Sequence, residues 1–198
     1  MADYNKCMKE LSYFVDQKFE NISRKANPSE AGEYENCKFL NCDLAESNLS
    51  DFVFTDCEFI ECDLSLIKLT QTTLRDAKFQ SCKMLGIHFE DCNGFGLSFR
   101  FDSCTLDHSS FYNTKITNTI FRDSRLREVD FSECDLTSSS FSNCDLGGAL
   151  FDNTNLEKAD FLTAYGYSLD PERNRLRKTK FSLQGLAGLL SKYDIIIE

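Results

Sequence analysis

The sequence predicts an all-β solenoid: a four-sided β-helix with a short helical cap at its C-terminal end. Two observations predict this fold. Large apolar residues recur at every fifth position over most of the 198 residues, and mostly small residues stand two positions before them. A period of five fits neither a helix, which repeats about every 3.6 residues, nor a strand, which repeats about every two. A coil satisfies it if each pentapeptide forms one of four sides.

The large apolar positions form two runs, and the second run is two residues out of step with the first. We expect all 23 of these side chains to point inward and to fill the coil, with the small residues packed beside them. The first run is Phe39, Leu44, Leu49, Phe54, Phe59, Leu64, Leu69, Leu74, Phe79, Met84 and Phe89, and the second is Leu106, Phe111, Ile116, Phe121, Leu126, Phe131, Leu136, Phe141, Leu146, Phe151, Leu156 and Phe161.

Phenylalanine alternates with Leu or Ile in the second run. With four sides to a turn, this alternation predicts two interior stacks on opposite sides. One stack holds Phe111, Phe131 and Phe151, and the other holds Phe121, Phe141 and Phe161.

Nine of the ten cysteines occupy the small position of the repeat, which favours small buried hydrophobes over reactive groups. Zinc sites use close cysteine pairs with nearby histidines, and the sequence has neither. The chain shows no apolar leader and no run of membrane-spanning length, so we expect a cytoplasmic protein with free thiols. We expect no metal, no cofactor and no catalytic residues, because no motif for them appears.

The repeat resembles the pentapeptide-repeat family, as in Cys37-Lys38-Phe39-Leu40-Asn41 and Cys134-Asp135-Leu136-Thr137-Ser138. The resemblance covers about residues 32 to 163 and implies a right-handed, quadrilateral β-helix. Gly94, at a central position, resembles the hinge between the two halves of Qnr-like quinolone-resistance proteins. Those members are dimeric rods that protect gyrase, so the resemblance implies a protein-binding module with DNA gyrase or topoisomerase IV as its partner.

Three segments follow from the pattern: an N-terminal capping segment (residues 1–31), the β-helix (32–168) and a C-terminal cap and dimerisation segment (169–198). The register breaks near residues 90–105, where Phe95, Leu97, Phe99 and Phe101 alternate. This break is either a bulge that re-registers the coil or an insertion that the fold absorbs. The cap is predicted as a short helix followed by a strand at residues 194–197. Its apolar face, the expected homodimer contact, comprises Leu183, Leu186, Leu189, Leu190 and Tyr193.

The charge favours a protein partner. The chain has a net charge of −10, which disfavours direct binding to nucleic acid. Residues 34–170 carry 23 acids and 11 bases, whereas residues 171–198 carry 3 acids and 6 bases. One hypothesis is that the acidic rod imitates DNA, and the alternative is a scaffold with an unrelated cytosolic partner. A continuous acidic stripe would favour the first and scattered acids the second. The candidate contacts follow the inward residues by two positions: Asp51, Asp56, Glu61, Asp76, Asp91, Asp123, Glu128 and Glu133.

Overall fold

The computed structural model describes residues 12–23, 31–193 and 195–196. They form a right-handed, four-sided β-helix of parallel strands, as the sequence predicts. Paired residues are 20 positions apart, as in Phe39 and Phe59, so one turn takes 20 residues and each pentapeptide makes one side.

Two parallel sheets cover adjoining sides of the coil. The smaller sheet contains β1 (Ser12–Val15), β3 (Gly32–Glu35), β5 (Val53–Thr55) and β7 (Thr73–Arg75). The larger contains β2 (Lys18–Glu20), β4 (Lys38–Leu40), β6 (Glu58–Ile60), β8 (Ala77–Gln80), β9 (Phe99–Asp102), β10 (Ile120–Arg122), β11 (Ser140–Ser142), β12 (Asp160–Phe161) and β13 (Lys180–Phe181). Three 3₁₀ helices are also described: η1 (Phe89–Asp91), η2 (Gln184–Leu189) and η3 (Ser191–Tyr193).

We number the sides in chain order from the larger sheet. Side 1 is that sheet, with Phe39 and Phe59 pointing inward. Side 2 has Leu44 and Leu64 inward, and side 3 has Leu49 and Leu69. Side 4 begins with the smaller sheet and continues through isolated bridges that link residues 115, 135, 155 and 175.

The interior confirms the five-residue code, because all 23 predicted inward residues are buried. Both predicted stacks are present: the ring centroids of Phe111 and Phe131 are 5.3 Å apart, and those of Phe121 and Phe141 are 5.0 Å apart. The stack on side 1 is longer than predicted. It runs without interruption through Phe19, Phe39, Phe59, Phe79, Phe101, Phe121, Phe141, Phe161 and Phe181.

Small residues two positions before the inward ones bond to the turn below. The Cys57 thiol donates to the Tyr34 carbonyl at 3.3 Å, and the Thr72 hydroxyl donates to the Leu49 carbonyl at 2.7 Å. This contact explains why Cys, Ser and Thr fill the slot, since each is small and carries a donor. The nine described cysteines are free and buried. Burial raises the pKa of Cys57 and Cys134 to about 12, which disfavours the reactive thiolate.

The register break is a two-residue insertion on side 4. Strands β8 and β9 pair residues 22 positions apart, and the stack continues across the break, with Phe79 and Phe101 centroids 5.2 Å apart. Leu97 and Phe99 are buried, whereas Phe95 protrudes with 77% of its surface exposed. The coil therefore absorbs the insertion by extruding the tripeptide Gly94–Gly96.

Both ends of the β-helix extend beyond the sequence-based boundaries. In the described part of the N-terminal capping segment, β1 and β2 pair in register with β3 and β4, so residues 12–23 continue the coil. At the other end β13 pairs with β12, so the coil reaches Phe181. Two 3₁₀ helices replace the single predicted helix, and Ile195–Ile196 have no regular structure. Residues 194 and 197 of the predicted strand, and residues 1–11 and 24–30 of the N-terminal segment, lie outside the described residues.

Candidate partner-binding surface

Side 3 carries the largest excess of acidic residues. Along its six levels from Leu49 to Phe151 it has one base, Lys68. The acids are Asp51, Glu90, Asp91, Asp130, Glu133 and Asp152. Consecutive levels are joined by backbone hydrogen bonds such as Gln71 N to Asp91 O (2.9 Å) and Glu133 N to Asp152 O (2.8 Å). The acids therefore share one side over a length of about 24 Å at strand spacing, at four of its six levels; the Leu69 and Phe111 levels carry none.

Side 1 differs, because its charges balance between neighbouring turns. Glu58 is held between Lys38 and Lys78, at 2.9 and 3.1 Å. These hydrogen bonds to lysine lower the pKa of Glu58. Lys180 reaches Asp160 at 3.2 Å in the same way. Cross-turn ion pairs of this kind leave side 1 without a strong field of either sign.

The eight acids predicted as contacts do not lie on one side. Asp51, Asp91 and Glu133 belong to side 3, and Asp56 and Asp76 belong to side 4. Side 1 holds Glu61 and Asp123, and side 2 holds Glu128. The structure thus brings three of the eight onto the acidic side and scatters the other five around the coil.

Backbone geometry accounts for the aspartates that stand two positions after the inward residue. Seven of the eight acids have positive φ, because the residue two positions after the inward one forms the corner of the coil. Asn and Asp enter the left-handed region more readily than other non-glycine residues. A corner aspartate such as Asp56 therefore has a structural reason to be there, whereas the corner glutamates Glu61 and Glu133 do not. Asp91 lies in η1 instead.

Three acids of side 3 were missed in the sequence because they occupy other slots of the repeat. Glu90 and Asp152 follow the inward residue directly, and Asp130 precedes one. Asp130 accepts a hydrogen bond from the Ser132 amide at 2.8 Å, and Asp152 pairs with Arg173 at 2.6 Å. The signal that could have found them is the side on which each acid falls, rather than its slot in the repeat.

Local electrostatics support a negative potential on side 3. The charge of Glu133, with a smaller contribution from Asp130, raises the pKa of the exposed Tyr112 hydroxyl. Asp51 and Asp91 form no ion pair with the described residues. At its C-terminal end side 3 opens into a groove of about 720 Å³, whose walls include Leu150, Asp152 and Arg173.

The C-terminal cap packs on Tyr167 and leaves an exposed apolar rim formed by Leu183, Leu186 and Tyr193. Gly185 and Gly188 are required for this packing, because a Cβ atom on Gly188 would lie 2.3 Å from the Tyr167 carbonyl oxygen. The five predicted cap residues separate into two groups. Leu189 and Leu190 are half-buried, with Leu189 against the core, while Leu183, Leu186 and Tyr193 are exposed.

The described residues include no group of three or more potential metal ligands. Within the same part of the chain, no helix has the length and apolar character needed to cross a membrane.

Comparison with known proteins agrees with the repeat. The family model for the pentapeptide repeat region matches residues 33–100 and 95–161. A trypsin-treated form of QnrB1, a plasmid-mediated fluoroquinolone resistance protein, is similar with a TM-score of 0.56 and 16% identity over 95% of this chain and 99% of that chain. HetL, a pentapeptide repeat protein involved in heterocyst differentiation regulation from the cyanobacterium Nostoc, gives 0.56 and 15% over 88% of each. A comparison with curated protein sequences found no match. At these identities the likeness concerns the fold.

Proposed function

Because the chain belongs to the pentapeptide-repeat family, we propose that it is a non-catalytic protein-binding module whose acidic side 3 occupies the DNA-binding surface of a type II topoisomerase. The observation that carries this proposal is the distribution of charge: six acids and one base lie on side 3, while side 1 is neutral. A protein that binds the phosphates of DNA offers a basic surface, and an acidic rod complements it.

The spacing of the charge supports the substitution for DNA. Side 3 has a net charge of −5 over about 24 Å, which is roughly one negative charge per 5 Å. One strand of duplex DNA carries one per about 3.4 Å along the helix axis. Side 3 is thus comparable to a single phosphate track, and the whole rod is not needed to supply the charge.

The similarity to QnrB1 supports the choice of partner. QnrB1 is a plasmid-mediated fluoroquinolone resistance protein, and the resemblance to Qnr-like proteins, which protect gyrase, implies gyrase or topoisomerase IV as the partner. Its full-length structure matches 93% of this chain and 100% of its own, with a TM-score of 0.55. A rod of the same architecture, with six acids and one base on one side and acids at four of the six levels of that side, offers a charge complementary to a basic DNA-binding surface.

Two matched double charge reversals test the proposal. The test variant is D51K/E133K on side 3, and the control is E61K/D123K on side 1. All four positions are corners with φ between 50° and 65°, and each pair has one member in each half of the rod. Lysine is compatible with this corner, since Lys158 and Lys178 occupy it with φ of 62° and 61°.

Gyrase supercoiling is measured with and without a quinolone at low and high salt. The wild type and the control should alter the reaction at low salt, and the effect should fall steeply as salt rises. The D51K/E133K variant should lose the effect while its melting transition stays close to that of the wild type. Equal activity of the two variants would exclude side 3 as the contact, and an inactive wild type would exclude the topoisomerase.

We also infer a homodimer through the apolar rim of the cap and a cytoplasmic location. The rim exposes Leu183, Leu186 and Tyr193, and a two-fold contact would cover it in both copies. The nine free thiols support a reducing compartment. Light scattering should report about twice the 22.7 kDa chain mass at high salt, and L183D/L186D should halve it. An unchanged mass in this variant would leave the segment as a cap only.

A scaffold with an unrelated protein partner is the second candidate. It is favoured by the five predicted acids that lie outside side 3 and by the fold shared with HetL, a protein of developmental regulation. The scaffold function would be favoured over topoisomerase binding if the wild-type protein left gyrase and topoisomerase IV unaffected.

A further inference from the structure

Side 4 is electrically polarised along the rod. In its first half it carries five acids and one base, Arg75. The acids are Asp16, Glu33, Glu35, Asp56 and Asp76. In its second half it carries five bases and two acids, Asp135 and Glu157. The bases are Lys115, Lys158, Arg175, Arg177 and Lys178. This reversal of sign is confined to side 4, and the function proposed for side 3 does not use it.

The bases of the second half have no acidic partner. None of the five forms an ion pair with the described residues, and all five are exposed. Lys158 and Lys178 stand in the same corner on neighbouring turns, where the Lys158 amide bonds to the Arg177 carbonyl at 3.0 Å. Like charges one strand spacing apart repel each other. Asp135 and Glu157 form no ion pair with these bases among the described residues, so this end of side 4 keeps a net positive charge.

The first half offers a matching recess. It has a volume of about 240 Å³ and is lined by Tyr13, Glu33, Tyr34, Glu35, Val53 and Thr55. Acidic side chains beside an aromatic ring suit an arginine guanidinium, which donates hydrogen bonds to carboxylates and stacks on aromatic rings.

An exposed phenylalanine marks the midpoint. Side 4 has nine levels, from the one at Phe14 to the one at Leu176, and the extruded Gly94–Phe95–Gly96 is the fifth. Phe95 is 77% exposed, and within the described part of the chain its ring contacts the Arg75 side chain, whose guanidinium carbon is 5.7 Å from the ring centroid. Such a large apolar group at the centre of a charged face is typical of an interface anchor.

We propose that side 4 binds side 4 of a second copy of this chain, with the two rods side by side and antiparallel about a two-fold axis at Phe95. Parallel rods would place acid on acid and base on base. Antiparallel rods place the first level on the ninth and the second on the eighth, so that acidic and basic halves meet twice.

Position-by-position pairing supports the antiparallel arrangement. The two-fold axis lies in the plane of side 4, perpendicular to the rod. It places each residue opposite the residue that occupies the same position of the repeat in the partner, at the inverted level. Asp16 then faces Lys178 of the second copy, and the recess around Tyr13 faces Arg175 and Arg177. At the centre Phe95 faces its own equivalent. One like-charged pair remains, Glu35 opposite Glu157, and Lys158 lies next to it in sequence.

Complementary charge reversal tests this pairing. E33K/E35K cancels the net charge of the first half, which then has three acids and three bases, and R175E/R177E changes the second half from a net charge of +3 to −1. At low salt each variant alone should fail to pair through side 4 and should keep the mass that it has at high salt. An equimolar mixture should pair through side 4, because the unchanged acidic first half of R175E/R177E (net −4) meets the unchanged basic second half of E33K/E35K (net +3). The mass of the wild-type assembly measured by light scattering should fall by half or more between about 0.05 M and 0.5 M salt, because the electrostatic screening length shortens to a few ångströms.

The cap contact proposed above is apolar and should persist at high salt. A single salt titration therefore distinguishes it from the side 4 contact. Neither measurement involves a topoisomerase. Wild-type mass that does not depend on salt, or a mixture that stays unpaired, would overturn the proposal.

Cross-linking tests the axis. Because the nine described cysteines are buried, F95C adds one accessible thiol to the described chain. A short bismaleimide should link two F95C chains at low salt and lose that yield at high salt. The control Y112C places an exposed thiol on side 3 and should link poorly under both conditions. Equal yields from F95C and Y112C would exclude the two-fold axis at Phe95.

Discussion

Replacing Phe131 by Ala should unfold the protein at markedly lower denaturant, because this ring fills the centre of the second half of the coil. Phe131 is fully buried and lies between Phe111 and Phe151, with centroids 5.3 and 5.2 Å away and nearly parallel planes. It also meets Phe121 and Phe141 edge-on at 5.9 and 5.8 Å. Removal of a buried phenylalanine costs about 3–5 kcal/mol, and four ring contacts place Phe131 at the upper end of that range.

The next residue provides the control. Ser132 points outward, and its described hydrogen bonds use the backbone amide and carbonyl, so S132A should change the free energy of unfolding by less than about 0.5 kcal/mol. Urea unfolding followed by circular dichroism measures both variants. For a chain of this size, a loss of about 4 kcal/mol lowers the melting temperature by roughly 10 °C. Comparable losses at the two positions would refute the assignment of inward and outward residues.

Three further predictions concern the thiols and the cap. In the native protein a thiol reagent should label almost none of the nine described cysteines, and unfolding should expose them; rapid native labelling would contradict their burial. Burial raises the pKa of Cys57 and Cys134 from 9.0 to about 12. The stability that these protonated thiols contribute is therefore complete below pH 9 and is lost as pH rises toward 12. In C57A/C134A the free energy of unfolding should fall less steeply between pH 9 and 12. An unchanged slope would argue against the shift. G188A should loosen the cap and increase its proteolysis, whereas G94A, with no atom within 4 Å of the added methyl group, should not.

The sequence predicts the interior well because the five-residue period alone decides which side chains point inward. It predicts the ends poorly, because two consecutive positions break the period near each end. Phe14 and Phe19 follow the period, but Arg24 and Ser29 break it. Gly166 and Pro171 break it before Leu176 and Phe181. Two repeats on the far side of such a break are too few to recognise.

The acidic surface could be predicted only in part. The slot of an acid in the repeat is visible in the sequence, but its side depends on counting turns through the two-residue insertion near Gly94. Corner aspartates such as Asp56 are also explained by backbone conformation, so their presence says little about partners. Glu90 and Asp130 occupy other slots, and only the register between turns places them beside Asp91 and Glu133.

Each turn of this coil contains 20 residues yet advances the rod by only about 4.8 Å. A turn pulled out straight would span on the order of 65 Å, so the rod stores more than ten times its own length as slack. Because each turn contacts only its two neighbours, tension applied to the two termini should peel turns away one at a time, in steps of equal size. The column of nine phenylalanines makes the turns nearly alike. A force–extension curve should therefore show a series of similar force peaks rather than one large unfolding event.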